Sequence, residues 1–260
     1  MDGFGTWQLE SLIAVGGLGE VWRAHRGDEV AAIKRLHTHL VRNDEARELF
    51  ATEQQLAMGL PRHPGIVHGL EVGDVDGRPY VALELAPGAD LRHIITPAAT
   101  RAVISPTPTT LSRPRAIAII AAACDAVTHL HRFGWVHGDL SPGNLIVSEA
   151  DGVVVVDLGV ARKIGEAGTV RGTHAYMAPE QVRGGAWTPA TDVFALGVVL
   201  WEIVAGTRLF HRGPTWLSMA AVVEATPPAL PDAQLDGIAQ AALAKDPALR
   251  IATPAELAGK

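Results

Sequence analysis

Six polar residues stand at spacings that suit phosphate chemistry. Lys34 closes Ala31-Ala-Ile-Lys34, where its apolar neighbours Ala32 and Ile33 give a solvated lysine no reason to sit. Glu53 follows in a helix-like stretch. Asp139 and Asn144 lie in His137-Gly-Asp-Leu-Ser-Pro-Gly-Asn144, Asp157 opens Asp157-Leu-Gly159, and Glu180 ends Ala178-Pro-Glu180. Upstream runs a glycine-rich turn, Ala14-Val-Gly-Gly-Leu-Gly-Glu-Val21. Glycine has no Cβ, so its backbone N–H groups approach phosphate oxygens closely. A compact ammonium pairs with the same oxygens. Carboxylate and amide oxygens are hard donors of the kind Mg²⁺ takes beside water and phosphate. A carboxylate is also the group that accepts or orients a hydroxyl proton.

These residues need elements to hold them. Trp7–Val15, Glu20–His25 and Glu29–Arg35 alternate as strands, with turns at Gly16-Gly17 and Gly27-Asp28. Residues 43–59 change to helical period, with Ala46, Leu49, Phe50, Leu56 and Ala57 on one face and Asn43 or Asp44 as N-cap. Two further strands are expected at Ile66–Val72 and Arg78–Leu85. That makes a five-strand-plus-helix unit ending near residue 86. From Asp90 the chain turns helical. Residues 96–113 read as a Pro/Thr/Ser/Ala-rich loop, 114–133 as an apolar helix, and 145–148 and 153–156 as short strands. Residues 192–205 are apolar all round, as a core helix is, with further helices expected over 216–225 and 235–258. The pattern predicts an α+β chain: a small β-rich lobe, 1–86, and a larger helical lobe, 87–260, with a ligand clamped at the seam near 84–90.

The chain has 260 residues, enough for one bilobal domain, and is 48% hydrophobic. A net charge of −6 argues against a nucleic-acid partner. The single cysteine, Cys124, lies in an apolar helix and excludes an intrachain disulfide, which fits a reducing compartment. No secretory signal is visible at the N-terminus, and the longest apolar runs fall short of the ~20 residues that span a bilayer. The sequence therefore reads as a soluble, cytoplasmic protein.

The six motifs, in this order, resemble those of the eukaryotic-type protein kinase family, and most of all its bacterial Ser/Thr members, over about residues 9–255. The resemblance implies a bilobal kinase fold with ATP and Mg²⁺ as cofactors. It makes Asp139 the catalytic base, Asn144 and Asp157 the metal ligands, and Lys34 the partner of the α/β-phosphates, held by Glu53. Ala14, Val15, Gly16, Gly17, Leu18 and Gly19 would cover the phosphates, with Ala14 in place of the family's first glycine. Val21 and Ala32 would roof the adenine and Ile146 floor it. Leu83 would sit behind the base, and the backbone of Glu84 to Ala86 would supply hinge hydrogen bonds. Glu180 and Arg250 match a buried ion pair, and Asp192 matches the acid that tethers the catalytic loop. Thr173 matches the threonine beside the base in enzymes acting on serine and threonine. The implied partner is a protein with a Ser/Thr acceptor, with a homodimer as a further partner, as in some relatives.

Two positions depart from the family. Gly138 stands where an arginine usually receives an activation-loop phosphate, so activity independent of loop phosphorylation is expected. Ser141 replaces the lysine that neutralises the γ-phosphate. The loss of one such charge stabiliser costs ~10²–10³ in rate, and Arg171 or Lys163 are candidate substitutes. Thr169 is the candidate regulatory phosphosite. Two readings from other classes accompany the kinase. One is an ATP-binding pseudokinase scaffold, suggested by Ser141 and Gly138. The other is a small-molecule phosphotransferase, because the catalytic loop is also similar to that of aminoglycoside and choline kinases. Against the latter stand Ala178-Pro-Glu180, Asp192 and Arg250.

Overall fold

The computed structural model describes residues 2–96, 111–168 and 170–260. Most of the expected 96–113 loop, and Thr169, lie outside the described residues. The chain divides into two compact units, residues 1–86 with 157–159, and residues 87–156 with 160–260.

The first unit is an antiparallel sheet backed by one helix. Its strands are β1 (Asp2–Phe4), β2 (Trp7–Val15), β3 (Gly19–Arg26), β4 (Glu29–Leu36), β5 (Gly69–Val75) and β6 (Arg78–Glu84), in the order β1-β2-β3-β4-β6-β5. The five expected strands become six among the described residues. β1 is too short to announce itself by alternation. It is pinned because Gly5 (φ 61°) turns the chain back and Phe4 packs edge-on against Tyr80, ring centroids 5.4 Å apart. Trp7, Leu9, Ala24, Ala31, Ile33 and Ala82 complete that core.

The β5 expectation is also corrected. The strand begins three residues later than Ile66 and runs three residues beyond Val72, to Val75. Asp76 and Gly77 alone make the turn, both at positive φ, with the Asp74 carboxylate accepting the Gly77 N–H at 2.6 Å. Ile66 is buried without being strand, because its N–H turns back to the His63 carbonyl. Helix α1 (Asp44–Gly59) is capped by Asn43, whose side-chain oxygen accepts the Ala46 N–H at 2.8 Å. Its 3–4 spacing buries Ala46, Leu49, Phe50, Leu56 and Ala57, and places Glu53 on the same face.

The second unit is mainly helical. It contains β7 (Ala89–Asp90), α2 (Leu91–Ile95), α3 (Arg113–Arg132), β8 (Trp135–Val136), β9 (Leu145–Val147), β10 (Val153–Val155) and β11 (Arg162–Lys163). Then follow α4 (Pro179–Val182), α5 (Pro189–Ala205), α6 (Thr215–Glu224), α7 (Ala233–Ala242) and α8 (Pro254–Ala258). β7, β9 and β10 form one small sheet, and β8 pairs β11 in another, a pairing too short to be read from sequence. Helix α5 is buried from Ala190 to Ile203 and ends at Gly206 in the left-handed region (φ 70°). Cys124 is fully buried on α3, where burial pushes its thiol up to about 12, so it acts as a small apolar side chain. Among the described residues no helix is long and apolar enough to cross a membrane.

Candidate active site

Two groups of side chains carry the chemistry, one in each unit. In the first unit, β4 brings Lys34 and α1 brings Glu53 to the same buried spot. Lys34 Nζ donates to Glu53 Oε1 at 2.5 Å and to Asp157 Oδ1 at 2.6 Å. Lys34 is 6% exposed and Glu53 2%, so the pair is not a surface salt bridge. One buried ammonium is shared by two carboxylates. Burial alone would lower the Lys34 ammonium, but Asp157 and Glu53 outweigh it and hold it above the ordinary lysine range. Burial pushes Glu53 upward; Lys34 opposes this, while the Asp157 charge adds to it. The two directions agree on one picture, with Lys34 charged and Glu53 ionising less readily than a solvated glutamate.

Backbone geometry supports this group. Asp157 sits at φ 64°, a conformation that aspartate tolerates better than most side chains. A Cβ on Gly159 would stand 2.9 Å from Glu53 Oε2, 3.1 Å from Asp157 Oδ1 and 3.4 Å from Lys34 Nζ, so any larger residue there would press on all three charged groups. In the glycine-rich turn, Gly16 N–H donates to the Gly19 carbonyl at 2.8 Å. His37, which sequence reasoning missed, braces the turn twice. Its ring Nε2 lies 2.8 Å from the Gly16 carbonyl, and its N–H donates to the Leu18 carbonyl at 2.9 Å. A Cβ at Gly19 would collide with the Arg35 carbonyl, which explains that glycine. Ala14 lies opposite Val21 in the β2–β3 register, and Ala32 opposite Leu83 in β4–β6. The Glu84 N–H is committed to the His68 carbonyl at 2.9 Å, so it is not free to donate to a ligand.

In the second unit, the loop after β8 presents Asp139. Its Oδ1 accepts the Thr173 N–H at 2.7 Å, and Asn144 Nδ2 donates to the Asp139 carbonyl at 2.8 Å. The same amide nitrogen lies 3.4 Å from Asp139 Oδ2. The loop is anchored from below by Asp192 on α5, which is fully buried and accepts from His137 N–H (2.8 Å), Gly138 N–H (2.9 Å) and His131 Nε2 (2.7 Å). Burial would raise the Asp192 carboxyl, but the His131 hydrogen bond and charge outweigh it and keep the group low. Gln181 adds a further tie, donating to the Gly138 carbonyl at 2.9 Å. Ile146 lies at the centre of β9, opposite Asp90 and Val154. Arg250 binds Glu180 through two nitrogens, at 2.7 and 3.0 Å, in the buried interior.

Ser141 is 3% exposed and lines a cavity of about 540 Å³ with Asn144, Thr173, His174, Arg92 and Arg208. Arg92 went unnoticed in the sequence. Its Nη2 donates to the Tyr176 hydroxyl at 3.3 Å, and its guanidinium is 5.7 Å from that ring's centre. No local signal announces it, because α2 is a single short turn. Of the two cations considered as substitutes for the missing lysine, Lys163 Nζ lies 4.0 Å over the Trp135 ring, and Arg171 is half-buried in the segment before Thr173.

Among the described residues no cluster of three His, Cys, Asp or Glu side chains is arranged to hold a metal by itself. Asp157 and Asn144 each carry a hard oxygen of the kind Mg²⁺ takes beside water and phosphate.

Comparison with known proteins points the same way. Residues 7–254 match the protein kinase domain family. PknB of Mycobacterium tuberculosis, a serine/threonine-protein kinase, is 33% identical over 274 residues, covering 96% of this chain and 41% of that protein. PknB of Mycolicibacterium smegmatis is 34% identical over 273 residues, with the same coverage of each. PknA of M. tuberculosis is 32% identical over 261 residues, covering 95% of this chain and 58% of that protein. The chain thus spans about two-fifths to three-fifths of the length of these relatives.

Proposed function

This chain belongs to the protein kinase family, and from that premise we propose that it transfers the γ-phosphate of ATP to serine or threonine hydroxyls of proteins. The observation that carries the proposal is the buried Lys34, shared by Glu53 and Asp157 through contacts of 2.5 and 2.6 Å. A lysine kept charged in the interior by two carboxylates is a costly arrangement with no packing benefit, and it suits a site that must meet phosphate.

Mg²⁺, when bound, would supply charge neutralisation at the phosphates, and Asp157 and Asn144 would hold it. Lys34 would pair the α- and β-phosphate oxygens, with Glu53 fixing the ammonium's position. Residues 14–19 would lie over the phosphates, and Val21, Ala32 and Ile146 would enclose the adenine. Asp139 would orient the acceptor hydroxyl and take its proton. The Thr173 N–H on its Oδ1 would fix the carboxylate's orientation for that task. Gly138 offers no cation to a loop phosphate, so activity is proposed to be independent of phosphorylation there. The proposed location is the cytoplasm, and a second copy of the chain is a further proposed partner, to be tested by sedimentation velocity.

The test is transfer of labelled phosphate from ATP and Mg²⁺ to a protein substrate, with Asp139→Asn as control. Loss of label in the variant, with nucleotide-induced thermal stabilisation kept, supports the kinase. Stabilisation without transfer in the parent protein favours the pseudokinase, a reading that draws on Ser141 and Gly138 standing where cations are expected. Transfer only to small hydroxyl compounds favours the small-molecule enzyme.

A further inference from the structure

The space beside Gly138 is filled by an indole. A Cβ on Gly138 would lie 2.7 Å from Cε3 of Trp187, with Cζ3 closer still. A Cβ on Gly168 would lie 2.8 Å from Cε2 of the same ring, with Cζ2 closer. Trp187 is therefore clasped between two glycines thirty positions apart, one in the catalytic loop and one in the activation segment that leads to Thr173. It is 2% exposed. Backbone contacts run beside the ring. Gly165 N–H donates to the Trp187 carbonyl at 2.8 Å, Trp187 N–H donates to the Glu166 carbonyl at 2.9 Å, and Ala167 pairs with Ala186 as an isolated antiparallel bridge. The start of the segment is held by β11 on β8 and by Ile164 N–H on the Gly134 carbonyl at 2.9 Å. The catalytic-loop side is equally fixed, since Gly138 N–H binds Asp192 and its carbonyl accepts from Gln181.

Resting on the kinase reading, we propose that Trp187 is a positioning residue that latches the activation segment to the catalytic loop by packing. It does the work of the absent arginine–phosphate pair. The physics of the two devices differs. An arginine receptor attracts nothing until a phosphate is added, and its attraction is weakened by salt. A buried indole is attractive at all times, carries no titrating group and is indifferent to ionic strength. The segment is then held ready without modification. At Gly168 the ring occupies the place of a side chain, and at Gly138 the ring and a φ of 75° both call for glycine.

The test compares wild type, Trp187→Val, Trp187→Phe, Gly168→Ala and the double variant Gly168→Ala/Trp187→Val, each treated with phosphatase or left untreated. Gly168 lies outside the left-handed region, so its alanine variant probes the ring contact and not backbone strain. The readouts are peptide kcat/KM and the rate of tryptic cleavage after Lys163 and Arg171, the latter needing no enzymatic activity. Trp187→Val and Gly168→Ala are expected to lose at least tenfold in peptide kcat/KM, to keep the KM for ATP within twofold, and to be cleaved at least tenfold faster. Trp187→Phe stays within threefold of wild type, because Trp187 Nε1 has no acceptor among the described residues to lose. The double variant regains part of the Gly168→Ala loss, since the smaller side chain makes room for the methyl. Phosphatase treatment leaves wild type unchanged, and the wild-type rate of tryptic cleavage does not rise with salt. Wild-type cleavage rates in both single variants, or a tenfold loss of wild-type activity on dephosphorylation, would overturn the latch. Absence of Asp139-dependent transfer from every sample would instead remove the kinase reading, while the cleavage rates still report on Trp187.

Discussion

Replacing Arg250 by leucine tests how the second unit is held together. The guanidinium is fully buried and meets Glu180 through two nitrogens at 2.7 and 3.0 Å. It also donates to the Ala190 carbonyl at 2.8 Å and the Ala244 carbonyl at 2.9 Å, and lies 5.0 Å from the Phe194 ring centre. Leucine keeps part of the apolar volume and removes every donor. The Glu180 carboxylate, 9% exposed, then keeps only the Thr191 hydroxyl, at 3.0 Å, among its described side-chain partners. Leaving one member of a buried pair uncompensated costs about 3–5 kcal/mol. Each orphaned carbonyl adds up to ~1–3 kcal/mol where water cannot reach it. Whole-protein stabilities are ~5–15 kcal/mol, so the variant is expected near its unfolding threshold. At roughly 2–4 °C per kcal/mol for a unit of this size, the uncompensated pair alone lowers the melting temperature by about 6–20 °C. Differential scanning calorimetry and urea titration read this directly. The companion variant Arg250→Leu/Glu180→Leu should recover stability relative to the single change, because no charge is then left without its partner. A single variant within 1 kcal/mol of wild type, or a double variant less stable than the single, would refute the account.

Three further outcomes are expected. Gly159→Ala places a methyl among Lys34, Glu53 and Asp157, at 2.9–3.4 Å from their charged atoms; overpacking of this kind costs ~1–3 kcal/mol. It should weaken nucleotide binding about tenfold by calorimetry, whereas an unchanged affinity means the three groups have room to part. Asp192→Asn leaves a shape-matched side chain but withdraws the charge that holds His137, Gly138 and His131. It should lower turnover at least tenfold with ATP affinity kept, and wild-type turnover would count against the tether. Lys245, packed 4.2 Å over Phe210, is pushed down to about 8, by burial first and then by the charges of Arg250 and Arg183. Its folded value lies below its unfolded one. Between about pH 8 and 10 the unfolded chain therefore binds a proton that the folded chain does not, and this site makes stability rise with pH. The rise should be shallower in Lys245→Met when urea midpoints are followed over that window, and parallel curves would exclude the effect.

Much of the site was legible because its signals are local. Lys34 stood out as a cation among apolar strand residues, and Glu53 fell on the buried face of a periodic helix. Asp139 and Asn144 were linked by the spacing of one loop. The strand boundaries at β5 were not legible, because an Asp-Gly turn and a buried Ile-Val pair give competing local cues. β1, β7, β8 and β11 were missed because two- and three-residue strands carry no period to detect.

By itself the sequence determined the α+β order of elements, the residues that bear charge inside apolar surroundings, and the two places where the expected cations are absent. All of these depend on side-chain type and spacing along one stretch of chain. Which distant groups meet was settled only by the tertiary structure. Lys34 gains Asp157 from 123 positions away, and Gly138 gains an indole from Trp187, a residue with no motif around it. Contacts of this kind join segments whose separation in sequence carries no period and no turn code, so only the folded backbone could bring them into view.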